Sequence, residues 1–272
     1  MFSRFLNYVL AVPFLFCLLV LSAQARDLRV CADPSNLPFS NRNQQGFENR
    51  IAEIVAGDLK AHLTYVWQRM GRGFVREYLD KAQCDLIVGI PTNFRTVLTT
   101  TPYYRSDYVF VSRRDKNLNM GSFDSPQLRG SRIGVQVLAE QYTPPGEALA
   151  RRGLQGAIVG FDTNGEDADS IIRAVVNRQV DASIVWGPLA GYYSRRYRDT
   201  ILLTPVQPEV DPSGLPFTFA ISMGVRKDDG PLREELEQIL RARKAEIRAV
   251  LDEYGVPQLP LPLPVNTQGV GH

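Results

Sequence analysis

The chain has 272 residues with 31 Lys plus Arg against 29 Asp plus Glu, a near balance that lacks the charge surplus of nucleic-acid or membrane-surface binders. Its two histidines, His62 and His272, are too few for a multi-histidine metal centre or for catalysis needing a second buried imidazole.

Arg4 gives the N-terminus a positive flank, Val9 to Leu21 is an apolar run interrupted by Pro13, and Ala23-Gln24-Ala25 supplies the small residues of a signal-peptidase site. The run is shorter than the ~20 residues that span a bilayer, so residues 1–25 read as a cleaved secretory signal rather than an anchor. Cleavage removes Cys17 and leaves Cys31 and Cys84 in an oxidising compartment, where a single disulfide is the natural expectation and two buried thiols the alternative.

Leu28 to Ala32 is a β-type run that stops at Asp33-Pro34, and from Phe47 the residues Ile51, Ile54, Val55 and Leu59 recur at helical spacing. Leu63 to Trp67 alternates as a second strand. Phe74, Val75, Tyr78 and Leu79 mark a helix, with His62 capping the end of the one before, and Asp85 to Ile90 is a third strand closed by Pro91. This βαβαβ order predicts a parallel sheet of order 2-1-3 covered by helices.

The pattern then repeats. Arg132 to Val137, Ala157 to Phe161 and Ala182 to Trp186 are strands, with helices over Glu140 to Arg152 and Asp167 to Asn177 between them. Asp181 reads as a cap where the third of these strands begins, and Tyr192 and Tyr193 as the start of a further helix with one ring facing the core. Tyr108 to Ser112 and Phe217 to Val225 are placed to cross between the two halves as hinge strands. A last helix runs from Pro231 to a C-cap at Gly255 and packs back on the first half. The expected fold is therefore a two-lobed α/β protein, each lobe a mainly parallel sheet flanked by helices, joined by two hinge strands. Residues 26–108 with 220–255 form the first lobe, 109–219 the second with hinge strands, and 256–272 a Pro-rich tail that is extended on the surface or disordered.

Within this order, Leu28 to Asp33, Leu37-Pro38-Phe39-Ser40, Gly46-Phe47-Glu48, Cys84 to Gly89 and Thr101-Pro102-Tyr103-Tyr104 resemble the first lobe of periplasmic solute-binding proteins of amino-acid ABC transporters, and Ile133 to Gln136 and Val180 to Ala182 continue the likeness. That resemblance implies a periplasmic-binding-protein fold with a ligand cleft between the lobes. It also implies an Arg for the ligand carboxylate, a role open to Arg95, which is equally well read as a solvated loop cation. Trp186-Gly187 stands where the family keeps a carboxylate for the ligand ammonium, and Val137-Leu138-Ala139 replaces the small hydroxyl residues that open a helix N-terminus to an anion.

A narrower resemblance rests on Cys31 to Asn41, Gly46 to Ala52, Arg72 to Arg76, Cys84-Asp85 and Val97 to Ser106, which look like the quinoprotein-dehydrogenase-associated MoxJ or MxaJ type. It implies a periplasmic accessory protein that assists assembly or activation of a methanol dehydrogenase dependent on pyrroloquinoline quinone (PQQ), with PQQ at most a transient ligand. A solute receptor of an ABC transporter is the alternative. Phe39, Tyr103, Tyr104, Trp186, Tyr192 and Tyr193 fall in loops or strand ends near the cleft, and with Asn41 and Arg95 they make the candidate surface for a segment of the dehydrogenase, although each ring taken alone reads better as ordinary core packing.

No catalytic constellation is evident. A nucleophile elbow, a phosphate loop, a metal-spaced cluster and a closely spaced cysteine pair are all missing from the sequence, so no enzyme and no stably bound cofactor is expected. The helix from Arg233 to Arg248 interleaves both charges and reads as a solvated face rather than a nucleic-acid patch.

Overall fold

The computed structural model describes residues 26–71, 73–118, 120–138, 141–165 and 167–261. The expected signal peptide, Ala139 and the tail beyond 261 lie outside them.

The first lobe starts with β1 (Asp27–Ala32), whose Leu28, Val30, Cys31 and Ala32 are all buried, as a strand covered on both faces requires. The short pair β2 (Ser35–Asn36) and β3 (Ser40–Asn41) follows, then α1 (Phe47–Leu59), β4 (His62–Trp67), a single π-helical turn at Val75–Leu79, and β5 (Leu86–Pro91). β1 lies between β4 and β5 with parallel register, Cys31 beside Val66 on one side and Ile87 on the other, which is the expected 2-1-3 order. His62 does not cap a helix. It opens β4 on the surface, its Nδ1 3.3 Å from Asp27 Oδ1, because α1 ends at Leu59 with Lys60 in the left-handed region.

After β6 (Leu98–Thr99), the ten-residue β7 (Tyr104–Arg113) leads into the second lobe: β8 (Ile133–Leu138), β9 (Gln141–Tyr142), α2 (Pro144–Arg151), β10 (Ile158–Asp162), α3 (Ser170–Val176), β11 (Ala182–Trp186), α4 (Gly187–Ser194) and β12 (Ile201–Pro205). β8 sits between β10 and β11, repeating the 2-1-3 order. The chain returns through β13 (Thr218–Val225) and ends in α5 (Gly230–Ala242) and α6 (Lys244–Glu253). The crossing is visible in the register of β7, where Tyr104 to Asp107 pair with Ile221 to Thr218 of β13 and Tyr108 to Ser112 pair with Trp186 to Ala182 of β11. The hinge thus begins four residues earlier than the apolar run from Tyr108 suggests.

Several expected helices are shorter. α2 begins at Pro144 rather than Glu140, since Pro144 and Pro145 can occupy only a first turn, and Gln141–Tyr142 pair with β8 instead. α3 begins at Ser170, because Asp167 and Asp169 are used outside the helix as partners of Arg173. α4 already starts at Gly187, so Tyr192 and Tyr193 sit in its last turn, Tyr193 being the buried ring. The final helix is two: Arg243 breaks it, turning its guanidinium onto both carboxylate oxygens of Asp58 on α1. Gly255 closes α6 at φ +70°, the left-handed geometry expected of its cap.

Cys31 and Cys84 form a disulfide with Cα atoms 5.5 Å apart, buried against Phe74, Leu79, Ile87 and Ile90. Other motif residues are scaffold as well: Asp85 binds Arg29 at 2.7 and 2.9 Å and Arg226 at 3.2 Å, and Thr101 donates to buried Glu237 of α5 from both its amide and hydroxyl. Asp181 accepts from the Arg132 amide at the mouth of β8, in keeping with a cap.

The tail's described start lies on the surface between the lobes. Val256 is buried, the Pro257 carbonyl accepts from Ser106 Oγ at 2.7 Å, and the Leu259 amide donates to the Arg105 carbonyl at 2.8 Å. Here α4 passes so close that a Cβ on Gly191 would stand 2.0 Å from the Gly255 carbonyl oxygen. Gly191→Ala is therefore expected to destabilise the protein by about 1–3 kcal/mol in urea unfolding, as overpacking against rigid backbone does. An unchanged midpoint would mean that α4 and the chain after α6 are not in contact.

Candidate functional site

Between the lobes lies a cavity of about 350 Å³ at the carboxyl ends of β5, β8 and β11. Its size suits a small molecule rather than a folded helix. From the first lobe, Asn36, Phe39, Glu48, Met70, Gly89 and Tyr104 reach it; Gln136, Thr143, Thr163, Asn164, Trp186 and Leu189 come from the second, and Tyr108 and Phe219 from the hinge strands.

The floor is a triad of rings brought together by the hinge pairing. Tyr108 lies 5.3 Å from Trp186 and 6.4 Å from Phe219, and Trp186 lies 5.7 Å from Phe219 with the planes at 76°. The opposite wall is built by α1. Gly46 lets the helix start press against the loop, since a Cβ there would sit 1.9 Å from the Phe39 carbonyl oxygen. The Phe47 amide donates to the Pro38 carbonyl and the Glu48 amide to the Phe39 carbonyl, which fixes Phe39 and occupies the first-turn donors of α1.

Among the described lining residues, Glu48 is the one carboxylate. It shares an inward helix face with Ala52 and Ala56, and its Oε1 lies 2.1 Å from where a Cβ of Gly89 would be, so the carboxyl packs against the β5 backbone. Burial raises its pKa to about 8, helped by the nearby charge of Asp33. Asp33 itself faces away from ligand, accepting from the amides of Ser35 at 2.9 Å and Met70 at 2.8 Å. Burial also drives the hydroxyl pKa of Tyr104 well up, with the Glu48 charge adding to it.

In the second lobe, Gln136 is spent on structure: Oε1 accepts from the Trp186 amide at 2.6 Å and Nε2 donates to Thr163 Oγ1 at 2.9 Å. Thr143 Oγ1 donates to the Gln136 carbonyl, and α2 behind it starts with two prolines, which offer no N–H to an anion. No Lys or Arg is among the described lining residues. Over the mouth the lobes meet through Arg69 and Asp162 at 2.9 Å, the Gly165 amide and Ser35 carbonyl at 2.8 Å, and Tyr193 Oη and the Leu37 carbonyl at 3.3 Å.

Of the residues expected in the cleft, Phe39, Tyr104 and Trp186 line it. Arg95 does not: it lies in an exposed turn outside the cavity, because the turn after β5 is short. Asn41 instead exchanges hydrogen bonds with Gln45 through its side chain. Tyr103 is behind the wall, edge-on to Tyr104 and donating to the Val88 carbonyl at 3.1 Å. Tyr192 stacks on Tyr254 at 5.8 Å beneath the Arg195 guanidinium, and its neighbour Tyr193 is a core ring that also spans the lobes. Glu48, Gln136, Tyr108 and Phe219 are cavity residues that sequence reasoning left out. The helical spacing of Glu48 with Ala52 and Ala56 was the signal available for the first.

The model of the bacterial extracellular solute-binding proteins, family 3, matches residues 28–256. Protein MoxJ of Paracoccus denitrificans is 31% identical over 255 residues, spanning 88% of this chain and 91% of that protein. The chain belongs to family 3 of the solute-binding proteins and, within it, to the MoxJ type. Protein MoxJ of Methylorubrum extorquens is 32% identical over 87% of this chain and 83% of its own length. Among solved structures, this MoxJ-type chain is similar to MxaJ from Methlophaga aminisulfidivorans, with a TM-score of 0.74 and 28% identity over 85% of this chain and 100% of that one. It is likewise similar to the periplasmic binding protein XoxJ from Methylobacterium extorquens AM1, with a TM-score of 0.69 and 38% identity over 86% and 99% of the two chains. An ancestral cationic amino acid solute-binding protein shares the fold at 19% identity and a TM-score of 0.67.

Proposed function

We propose that this MoxJ-type protein is a periplasmic accessory factor that assists assembly or activation of a PQQ-dependent methanol dehydrogenase, receiving a segment of the enzyme in its aromatic cleft when the lobes part. The observation that carries this reading is the loss of the two-ended grip for an amino acid. Trp186 stands at the end of β11 in place of a carboxylate, α2 opens with Pro144-Pro145, and the described lining holds no guanidinium or ammonium. What remains is an aromatic floor of Tyr108, Trp186 and Phe219, the kind of surface that anchors apolar side chains of a partner. The likeness to MoxJ, MxaJ and XoxJ supports the same direction.

PQQ fits this cavity poorly. It carries three carboxylates, and the described lining offers them no cation while adding Glu48. The partner would therefore be the dehydrogenase polypeptide, with binding rather than catalysis as the protein's task.

The test is co-elution of the purified protein with apo and quinone-loaded methanol dehydrogenase, beside calorimetry against free amino acids. We expect a complex with the dehydrogenase that Trp186→Ala weakens at least tenfold, and no heat from amino acids. Tight amino-acid binding without affinity for the dehydrogenase would make the protein a transport receptor instead.

A further inference from the structure

The wall opposite the aromatic floor carries the Glu48 carboxyl group, to which no described residue is hydrogen-bonded. Among the described residues no hydrogen bond reaches the Glu48 side chain, although each oxygen of the neighbouring Asp33 is satisfied by a backbone amide. Glu48 is half-buried, and an acid partly withdrawn from water without a hydrogen-bond partner carries a cost that falls when a ligand supplies donors or opposite charge. Everything else in the lining selects the sign of that charge. Among the described lining residues there is no Lys or Arg, the amides of Phe47 and Glu48 at the start of α1 are already bonded, and α2 begins with two residues that have no N–H. An anion has no seat, and neither does the carboxylate end of an amino acid. Five aromatic residues, Phe39, Tyr104, Tyr108, Trp186 and Phe219, line the same cavity as Glu48, and aromatic rings attract organic cations while offering an anion nothing.

We propose that the closed cavity binds a small organic ammonium ion lacking a carboxylate, with its charge on Glu48 and its carbon body against Phe39, Tyr104, Tyr108, Trp186 and Phe219. About 350 Å³ accommodates an aryl-alkyl or alkyl amine, and the contacts of Arg69 with Asp162 and of Gly165 with Ser35 close the lobes over it. Before a cation binds, Glu48 holds its proton up to about pH 8, with Asp33 the neighbouring charge that helps keep it there and the hydroxyls of Tyr65, Tyr103 and Tyr104 uncharged around it. Seating an ammonium ion ionises Glu48, so one proton passes from its carboxyl to solvent for each cation bound near neutral pH. This inference does not rest on the dehydrogenase partnership, and its test uses the protein alone.

Benzylammonium, benzyl alcohol and benzoate share one ring and differ in the charge of the substituent. They are titrated by calorimetry at pH 7 in two buffers of different ionisation heat, and by fluorescence in a Trp67→Phe background that leaves Trp186 as the reporting indole. Benzylammonium should bind at least tenfold more tightly than benzyl alcohol, benzoate should not bind, and proton release should approach one per site. Glu48→Gln should lose the preference for the amine and the proton release while keeping its affinity for benzyl alcohol, which also shows that the variant is folded. Failure of benzylammonium to bind, benzoate binding as well as the amine, or unchanged amine affinity in Glu48→Gln would each overturn the proposal.

Discussion

Replacing both Cys31 and Cys84 by Ala is expected to lower stability by about 4 kcal/mol, seen as a melting temperature roughly 8–16 °C lower in non-reducing buffer. The loop closed by the bridge spans 53 residues, and chain entropy withheld from the unfolded state grows with the logarithm of that length. The bridge also ties β1 covalently to the start of β5, the strand whose Gly89 lines the cavity. Both sulfurs are buried among Phe74, Leu79, Ile87 and Ile90, so a reductant reaches them only after that cluster opens. Dithiothreitol should accordingly act slowly on the folded protein and lower its melting temperature toward that of the double variant. A double variant melting within 2 °C of the wild type would show that the first lobe is held by its core alone.

The strand order of both lobes was legible because each strand reads as an apolar run bounded by turn residues, and right-handed crossovers leave little choice of arrangement. Asp27–Ala32 and Ala182–Trp186 are clear instances, and the pairing of Cys31 with Cys84, expected for the two cysteines left in an oxidising compartment, is compatible with the 2-1-3 order. Helix ends were less legible, since they depend on tertiary partners: Arg243 breaks the last helix to reach Asp58, and Asp167 and Asp169 leave α3 to hold Arg173. β12 went unread because Ile201-Leu202-Leu203-Thr204 has no alternation, and a run so short does not tell strand from loop. The cavity was half legible. Aromatic residues at strand ends drew attention to Phe39, Tyr104 and Trp186, yet the same criterion drew in Tyr103 and Tyr192, whose direction is set by contacts with Val88 and Tyr254. Glu48 escaped because a carboxylate in the first turn of a helix is ordinarily explained by the helix dipole, so its spacing with Ala52 and Ala56 was not weighed until its closeness to Gly89 showed it pressed inward.

That inward placement gives the second large effect: Glu48→Gln is expected to leave the melting temperature unchanged at pH 4 and to raise it by about 5–10 °C at pH 8.5. In the unfolded chain Glu48 ionises near its ordinary value of 4.5, whereas in the folded protein burial holds the proton on to about pH 8. Between those values the unfolded form sheds a proton that the folded form keeps, so the contribution of Glu48 to stability declines as pH rises through this window and is at its worst above it. Each unit of the gap corresponds to about 1.4 kcal/mol, and water entering a cavity that opens at its mouth reduces the total to about 2–3 kcal/mol. Gln keeps the shape over Gly89 without a proton to lose, which removes the pH-dependent cost and spares the packing. Thermal unfolding at the two pH values distinguishes this from an ordinary ion-paired glutamate, for which the Gln variant would melt lower at pH 8.5 and lower by a smaller margin at pH 4. Saturating benzylammonium should then reverse the ranking at pH 8.5, because a ligand that binds the native state alone stabilises it in proportion to its affinity, and only the wild-type carboxylate answers the cation.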